Sequence, residues 1–63
     1  MIYIYSSDLC PKCEAAKNKY AAQNIQYEER SADRIKAPED EIDRDALIQA
    51  SLQNMELPVI VEG

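Results

Sequence analysis

The chain has 63 residues, 46% of them hydrophobic, which suits one small globular domain spanning residues 1–63. Twelve acidic and seven basic residues give a net charge of −5, so nucleic acids and anionic membranes are disfavoured as main partners. With no histidine and two cysteines, one copy cannot supply the four ligands of a closed structural zinc site. No apolar run approaches the ~20 residues that span a bilayer, and the first residues lack a signal-peptide pattern, so we expect a cytoplasmic protein.

The first half of the chain predicts a strand, a helix and a second strand. Residues 1–5 are apolar throughout, which is typical of a strand buried on both faces. A helix is expected from Pro11, which suits a first helical turn, to Asn24, which tolerates the left-handed conformation of helix ends. The alternating residues 25–28 predict a half-buried strand. Because parallel strands joined through a helix cross over right-handed, the two strands should be parallel neighbours.

The second half predicts a loop, a second helix and a third strand. Residues 31–45 are rich in charge and predict a solvated connection with one short helical turn, in which Asp40 or Asp43 caps the next helix. That helix should end near Asn54, with an apolar face formed by Ile42, Ala46, Leu47, Ala50 and the Leu52 side. Residues 57–61 predict a strand with proline at its start, where no N–H donor is needed. The order is β-α-β-α-β, an α/β fold.

Two cysteines three residues apart lie at the predicted junction of the first strand and first helix. Thiol–disulfide exchange needs a thiolate that attacks and a second thiol that resolves the mixed disulfide. Cys10 is placed where the helix begins, so free backbone N–H groups and the helix dipole favour its thiolate, and Lys12 adds a cation. Cys13 lies one turn further on and should be more enclosed. The pattern favours Cys10 as attacker, Cys13 as resolving thiol, and Pro11 and Lys12 as flanking residues that tune the site.

The cysteine pair is also compatible with two roles outside redox chemistry. Cysteines are often buried as small apolar residues, so the pair could simply pack at a helix start in a redox-inert interaction domain. A CxxC sequence is also half of a zinc or iron–sulfur site, so two chains could together contribute four thiolates. The position of the motif between a strand and a helix favours the redox interpretation over both.

The order of elements, the CPxC motif and the turn before the last strand resemble the thioredoxin superfamily and, within it, the glutaredoxins and glutaredoxin-like redoxins. The resemblance spans essentially the whole chain. Leu57, Pro58 and Val59 are similar to the Thr-Val-Pro turn of glutaredoxins, where the proline is cis and the preceding backbone pairs with a bound disulfide peptide or glutathione. The resemblance therefore implies a cis Pro58 and a substrate-binding role for Leu57 and Pro58.

The sequence departs from the glutaredoxin pattern in three places. Lys12 stands where the family usually has tyrosine, and residues 31–45 form a longer, more acidic connection than usual. The family also continues with a fourth strand and a further helix that carry part of the glutathione-binding surface. The resemblance thus implies a minimal or truncated thioredoxin-like fold, with an open edge strand near Val59 and Val61 at which a homodimer can form.

Motif and resemblance together predict a glutaredoxin-like thiol–disulfide oxidoreductase. The implied partners are a disulfide-containing protein or a glutathione mixed disulfide, with a reductase or glutathione as reductant. We expect no metal and no tightly bound cofactor, with glutathione as a potential co-substrate.

Overall fold

A three-stranded mixed sheet forms the centre of the fold in a computed structural model, which describes residues 1–63. Its strands are β1 (Ile2–Ser6), β2 (Tyr27–Ser31) and β3 (Val59–Glu62), in the order β2-β1-β3. β1 and β2 are parallel neighbours, as predicted, and Ile2 lies opposite Tyr27. β3 is antiparallel to β1, with Val59 opposite Tyr5. The strand order makes β3 one of the two edge strands.

Three helices connect the strands: α1 (Pro11–Ala22), α2 (Asp33–Lys36) and α3 (Glu41–Leu52). α1 begins with Pro11 in its first turn and is followed by Asn24 in the left-handed region, at φ 58°, which confirms both predicted boundaries. α2 is the short helical turn expected in the charged connection. Asp40 caps α3 by accepting a hydrogen bond from the Asp43 N–H at 2.8 Å, as one of the two predicted caps. No helix is both long and apolar enough to cross a membrane.

One face of the sheet packs against α2 and α3. The buried core on this face consists of Tyr5, Ile35, Ala46, Ala50, Val59 and Val61. Ile42, Ala46 and Ala50 recur every four residues, so they lie on the helix face that meets the sheet. The prediction was wrong for Leu47 and Leu52, which are 38% and 76% exposed and lie outside the buried face of α3.

The second strand differs most from its prediction. Residues 25 and 26 are not part of β2, which begins at Tyr27. The Ile25 N–H instead donates to the Tyr20 carbonyl at the end of α1, at 3.0 Å. β2 instead continues through charged residues to Ser31. Glu29 pairs with Lys17 of α1 on one face, and Arg30 turns to the opposite face, where it lies 4.7 Å from the ring centre of Tyr3. Their charges are satisfied by partners distant in sequence, which the alternating pattern of residues 25–28 does not reveal.

A buried carboxylate of α3, that of Asp43, is hydrogen-bonded to β1, β2 and α2. Asp43 is 0% exposed and accepts hydrogen bonds from the Tyr5 hydroxyl at 2.5 Å, the Arg30 guanidinium at 2.9 Å and the Glu39 N–H at 2.9 Å. Arg34 Nε donates a fourth, at 3.0 Å. Burial alone raises the pKa of Asp43, but these four donors more than offset that and hold the pKa well below its usual range. Burial, followed by the bond to Asp43, raises the pKa of Tyr5 to about 12.

Candidate active site

The two cysteines meet at the start of α1. Cys10 is the N-cap residue and is half-buried, whereas Cys13, in the first turn, is 1% exposed. Their Cα atoms are 5.2 Å apart and their sulfurs are joined in a disulfide. Cys13 was predicted to be the more enclosed of the two, and its burial agrees with that prediction. An incoming molecule therefore reaches the sulfur of Cys10 first.

The sulfur of Cys10 lies against the free N–H groups of the helix. Its Sγ accepts a hydrogen bond from the Cys13 N–H at 3.2 Å, in the manner of an N-cap side chain. The Cys10 carbonyl accepts the first bond of the helix, from the Glu14 N–H at 3.1 Å. When the disulfide is reduced, negative charge on this sulfur is stabilised by the same N–H and by the positive end of the helix dipole.

The two residues between the cysteines shape the start of the helix and its charge. Pro11 occupies the first helical position, where its missing N–H costs no hydrogen bond. Lys12 is exposed and makes no ion pair, so its ammonium adds a solvated positive charge beside the disulfide. Leu9, directly before Cys10 in the chain, is 96% exposed and adds an apolar side chain to the surface of this loop.

The Leu57–Pro58 segment lies at the same end of the sheet as the disulfide. Its peptide bond is cis, as the resemblance implied. Pro58 directly precedes Val59, which pairs with Tyr5 near the end of β1 that leads into the cysteine loop. The backbone N–H and carbonyl of Leu57 make no backbone hydrogen bond. No side chain bonds to them either, so both groups are without a hydrogen-bond partner in the chain.

Two cavities flank this end of the sheet. A groove of about 310 Å³ lies beside Leu57 and is lined by Ile35, Ala50 and Met55, with Lys36 among its polar lining residues. A polar cleft of about 510 Å³ lies where β1 and β2 end. Three of its charged side chains, those of Glu14, Lys17 and Glu29, pair with one another.

Lys17 is the centre of the paired charges in the polar cleft. It donates to Glu29 and, at 3.1 Å, to Glu14, and Ser6 donates to Glu29 at 3.2 Å. The bond to Lys17 holds the pKa of Glu29 below its usual value, and the same bond raises the pKa of Lys17. The cleft thus carries an ion-pair network between α1 and β2 in which one lysine binds two glutamates.

A mixed sheet with a CxxC pair at the start of the first helix and a cis proline before the last strand defines a thioredoxin-like redox protein. Comparison with protein families gives the same answer at a finer level: the Glutaredoxin family model matches residues 2–63. The chain belongs to the glutaredoxin family. Searches of curated proteins and of solved structures returned no match.

The structure brings the cysteine pair and the Leu57–Pro58 segment to one end of the fold, as the sequence predicted, but sequence reasoning missed a polar contact beside Pro58. The Gln53 side chain donates to the carbonyl oxygen of Pro58 at 2.9 Å and to that of Glu56. Neither its residue type nor its spacing pointed to this role. The only signal was its place at the predicted end of the second helix, a few residues before the Leu57–Pro58 turn.

Proposed function

We propose that the chain is a thiol–disulfide oxidoreductase in which Cys10 attacks and Cys13 resolves. The observation that carries the proposal is the position of the Cys10 sulfur, accessible at the N-cap of α1 and hydrogen-bonded to the Cys13 N–H at 3.2 Å. Membership of the glutaredoxin family supports the same chemistry. The near-complete burial of Cys13 supports the division of roles, since a large substrate cannot approach its sulfur.

The reaction begins with both cysteines reduced. The Cys10 thiolate attacks one sulfur of the substrate disulfide, forming a mixed disulfide and releasing the other substrate sulfur as a thiolate, which takes up a proton. Cys13 then loses its proton and attacks the Cys10 sulfur. This step forms the Cys10–Cys13 disulfide and releases the second substrate thiol. Two electrons pass from the cysteine pair to the substrate, and an external thiol must restore the dithiol form.

We propose that the substrate binds along Leu57 and Pro58. The free backbone N–H and carbonyl of Leu57 support this, because an extended peptide needs such a pair to hydrogen-bond to the protein. The groove lined by Leu57 and Met55 offers apolar surface beside this segment. The substrate is a disulfide-containing protein or a glutathione mixed disulfide, with glutathione or a reductase as the reductant and no tightly bound cofactor. We place this cycle in the cytoplasm, where thiols are kept reduced.

Reduction of insulin disulfides tests the oxidoreductase proposal. The reduced chain should yield two insulin thiols per chain in a single turnover, and Cys10→Ser should yield none. Lys19→Met, which changes an exposed side chain on the same helix, is the matched control and should behave as the parent chain. Equal insulin reduction by Cys10→Ser would contradict the proposal. Repeating the reaction with either glutathione or a thioredoxin reductase as electron donor identifies the reductant.

We also propose that two copies pair through β3. It is an edge strand, and open strand edges readily hydrogen-bond to another chain. Val59 and Val61 face the core on this strand, so pairing would use its backbone and leave the core side chains in place. Sedimentation equilibrium over a concentration series should show a dimer. A monomer at every concentration would contradict this part of the proposal.

A further inference from the structure

The segment between α3 and β3 has an unusual backbone. Asn54 and Met55 both have positive φ, at 56° and 60°, although methionine rarely adopts the left-handed region. The Met55 N–H donates to the Ala50 carbonyl at 2.7 Å, and the Glu56 N–H donates to the Gln53 carbonyl at 3.1 Å. These bonds close the end of α3, but they stop at Glu56. No backbone hydrogen bond therefore holds Leu57 and Pro58, the two residues between Glu56 and β3.

The Gln53 side chain holds this part of the segment by hydrogen bonds to the backbone on both sides of Leu57. Its Nε2 donates to the Glu56 carbonyl and, at 2.9 Å, to the Pro58 carbonyl. Its Oε1 accepts from Gln49 Nε2 at 3.0 Å. The orientation of the amide follows from chemistry, because both backbone partners are carbonyl oxygens and only an NH₂ group can donate to them. The two hydrogens of one amide thus hold the carbonyls on either side of Leu57.

We propose that Gln53 is a positioning residue for substrate binding. Gln53 holds the carbonyls of Glu56 and Pro58 and so fixes the direction of the peptide groups between them. The Leu57 N–H and carbonyl, which have no partner of their own, then point in a fixed direction for a bound peptide. The inference rests on the proposed thiol–disulfide exchange and adds the residue that fixes its binding backbone. It assigns Gln53 no contact with the reacting sulfurs. Loss of the amide should therefore weaken peptide binding and leave the intrinsic reactivity of Cys10 unchanged.

Two substitutions remove the donors and one tests for charge. Gln53→Glu keeps the shape but places a carboxylate against two carbonyl oxygens, and Gln53→Met keeps the length with no polar group. Ser51→Glu adds the same charge to the last turn of α3 at an exposed site and is the matched control. Should Gln53→Glu fail to fold by far-UV circular dichroism, Gln53→Met decides the question.

The assay mixes each reduced protein with increasing amounts of a peptide that carries one intramolecular disulfide. Samples are quenched with acid, and the peptide thiols are counted by mass spectrometry. Because two hydrogen bonds are lost, we expect both Gln53 variants to need at least about tenfold more peptide for half-maximal rate, with Ser51→Glu unchanged. The rate of Cys10 alkylation by iodoacetamide, which needs no peptide site, should be equal in all four proteins.

Two results would overturn the inference. One is half-saturation of the Gln53 variants within about twofold of Ser51→Glu. The other is a matching fall in iodoacetamide reactivity, which would show a general effect on the thiol. If the parent chain reduces no peptide, the proposed function fails instead. Hydrogen exchange then tests separately whether the Gln53 side chain holds the segment after α3. The Met55 and Glu56 amides should exchange faster in both Gln53 variants than in Ser51→Glu. Equal exchange rates would refute that structural role.

Discussion

Removal of the Asp43 carboxylate should cost the chain most of its stability. Asp43 is fully buried and accepts four hydrogen bonds from four different residues. Removing one partner of a buried ion pair typically costs about 3–5 kcal/mol. Here the Tyr5 hydroxyl and the Glu39 N–H lose their acceptor, and both arginines keep only ion pairs with more exposed carboxylates. A chain of 63 residues has a total unfolding free energy of only about 3–9 kcal/mol at about 0.05–0.15 kcal/mol per residue. Asp43→Ala should therefore unfold at a much lower urea concentration than the parent chain at 25 °C.

Urea denaturation of the oxidised protein, followed by far-UV circular dichroism, measures the loss. Asp45→Ala is the matched control, since Asp45 is exposed on the same helix and makes no ion pair, and should lie within about 0.5 kcal/mol of the parent chain. Arg34→Met provides a second test. In the Asp43→Ala background it should cost at least about 0.5 kcal/mol less than in the parent chain, because its buried partner is already gone. A loss below about 1 kcal/mol in Asp43→Ala would refute the reasoning.

Three further predictions concern pH and the core, and a fourth concerns the backbone. The pKa of Asp43 is lowered by folding, so its contribution is complete above about pH 4 and is lost as the pH falls further; urea midpoints at pH 7 and pH 3 should differ less in Asp43→Asn than in the parent chain. The pKa of Tyr5 is raised to about 12, so its contribution is complete below about pH 10 and lost as the pH rises towards 12, and Tyr5→Phe should remove that alkaline loss. Ile35→Ala should cost about 2–5 kcal/mol by emptying a core site, against under about 0.5 kcal/mol for the exposed Ile48→Ala, and equal urea midpoints would contradict the packing. Asn24→Ala should lower the unfolding free energy by about 1 kcal/mol and Asn24→Gly should not, because Asn24 has φ 58°; the same melts decide this.

The parts of the fold that follow local rules could be predicted from the sequence. Pro11 and Asn24 mark the ends of α1 because their backbone preferences act within a few residues. Asp40 was predicted as a cap for the same reason. The cysteine pair could be placed at the start of α1 because the strand and helix patterns meet there. The cis peptide came only from the resemblance, since an X-Pro bond is cis in about 5–6% of folded cases.

The parts that depend on distant partners could not be predicted. β2 runs through Glu29 and Arg30, whose charges are satisfied by Lys17 of α1 and by Asp43 of α3. In the sequence alone, a run of charges has no such partners and indicates a solvated loop. Gln53 was missed for a related reason. Its side chain donates hydrogen bonds to two backbone carbonyls, and no pattern of residue types predicts such contacts.

Capture of the mixed disulfide is the sharpest test of the roles proposed for the two cysteines. Reduced Cys13→Ser is mixed with the disulfide peptide, the remaining thiols are alkylated in acid, and the linked residue is identified by tandem mass spectrometry. We predict that the peptide is attached to Cys10, and that Cys10→Ser treated in the same way carries almost none on its buried Cys13. Equal attachment through Cys13 in Cys10→Ser, or none through Cys10 in Cys13→Ser, would contradict the proposed mechanism.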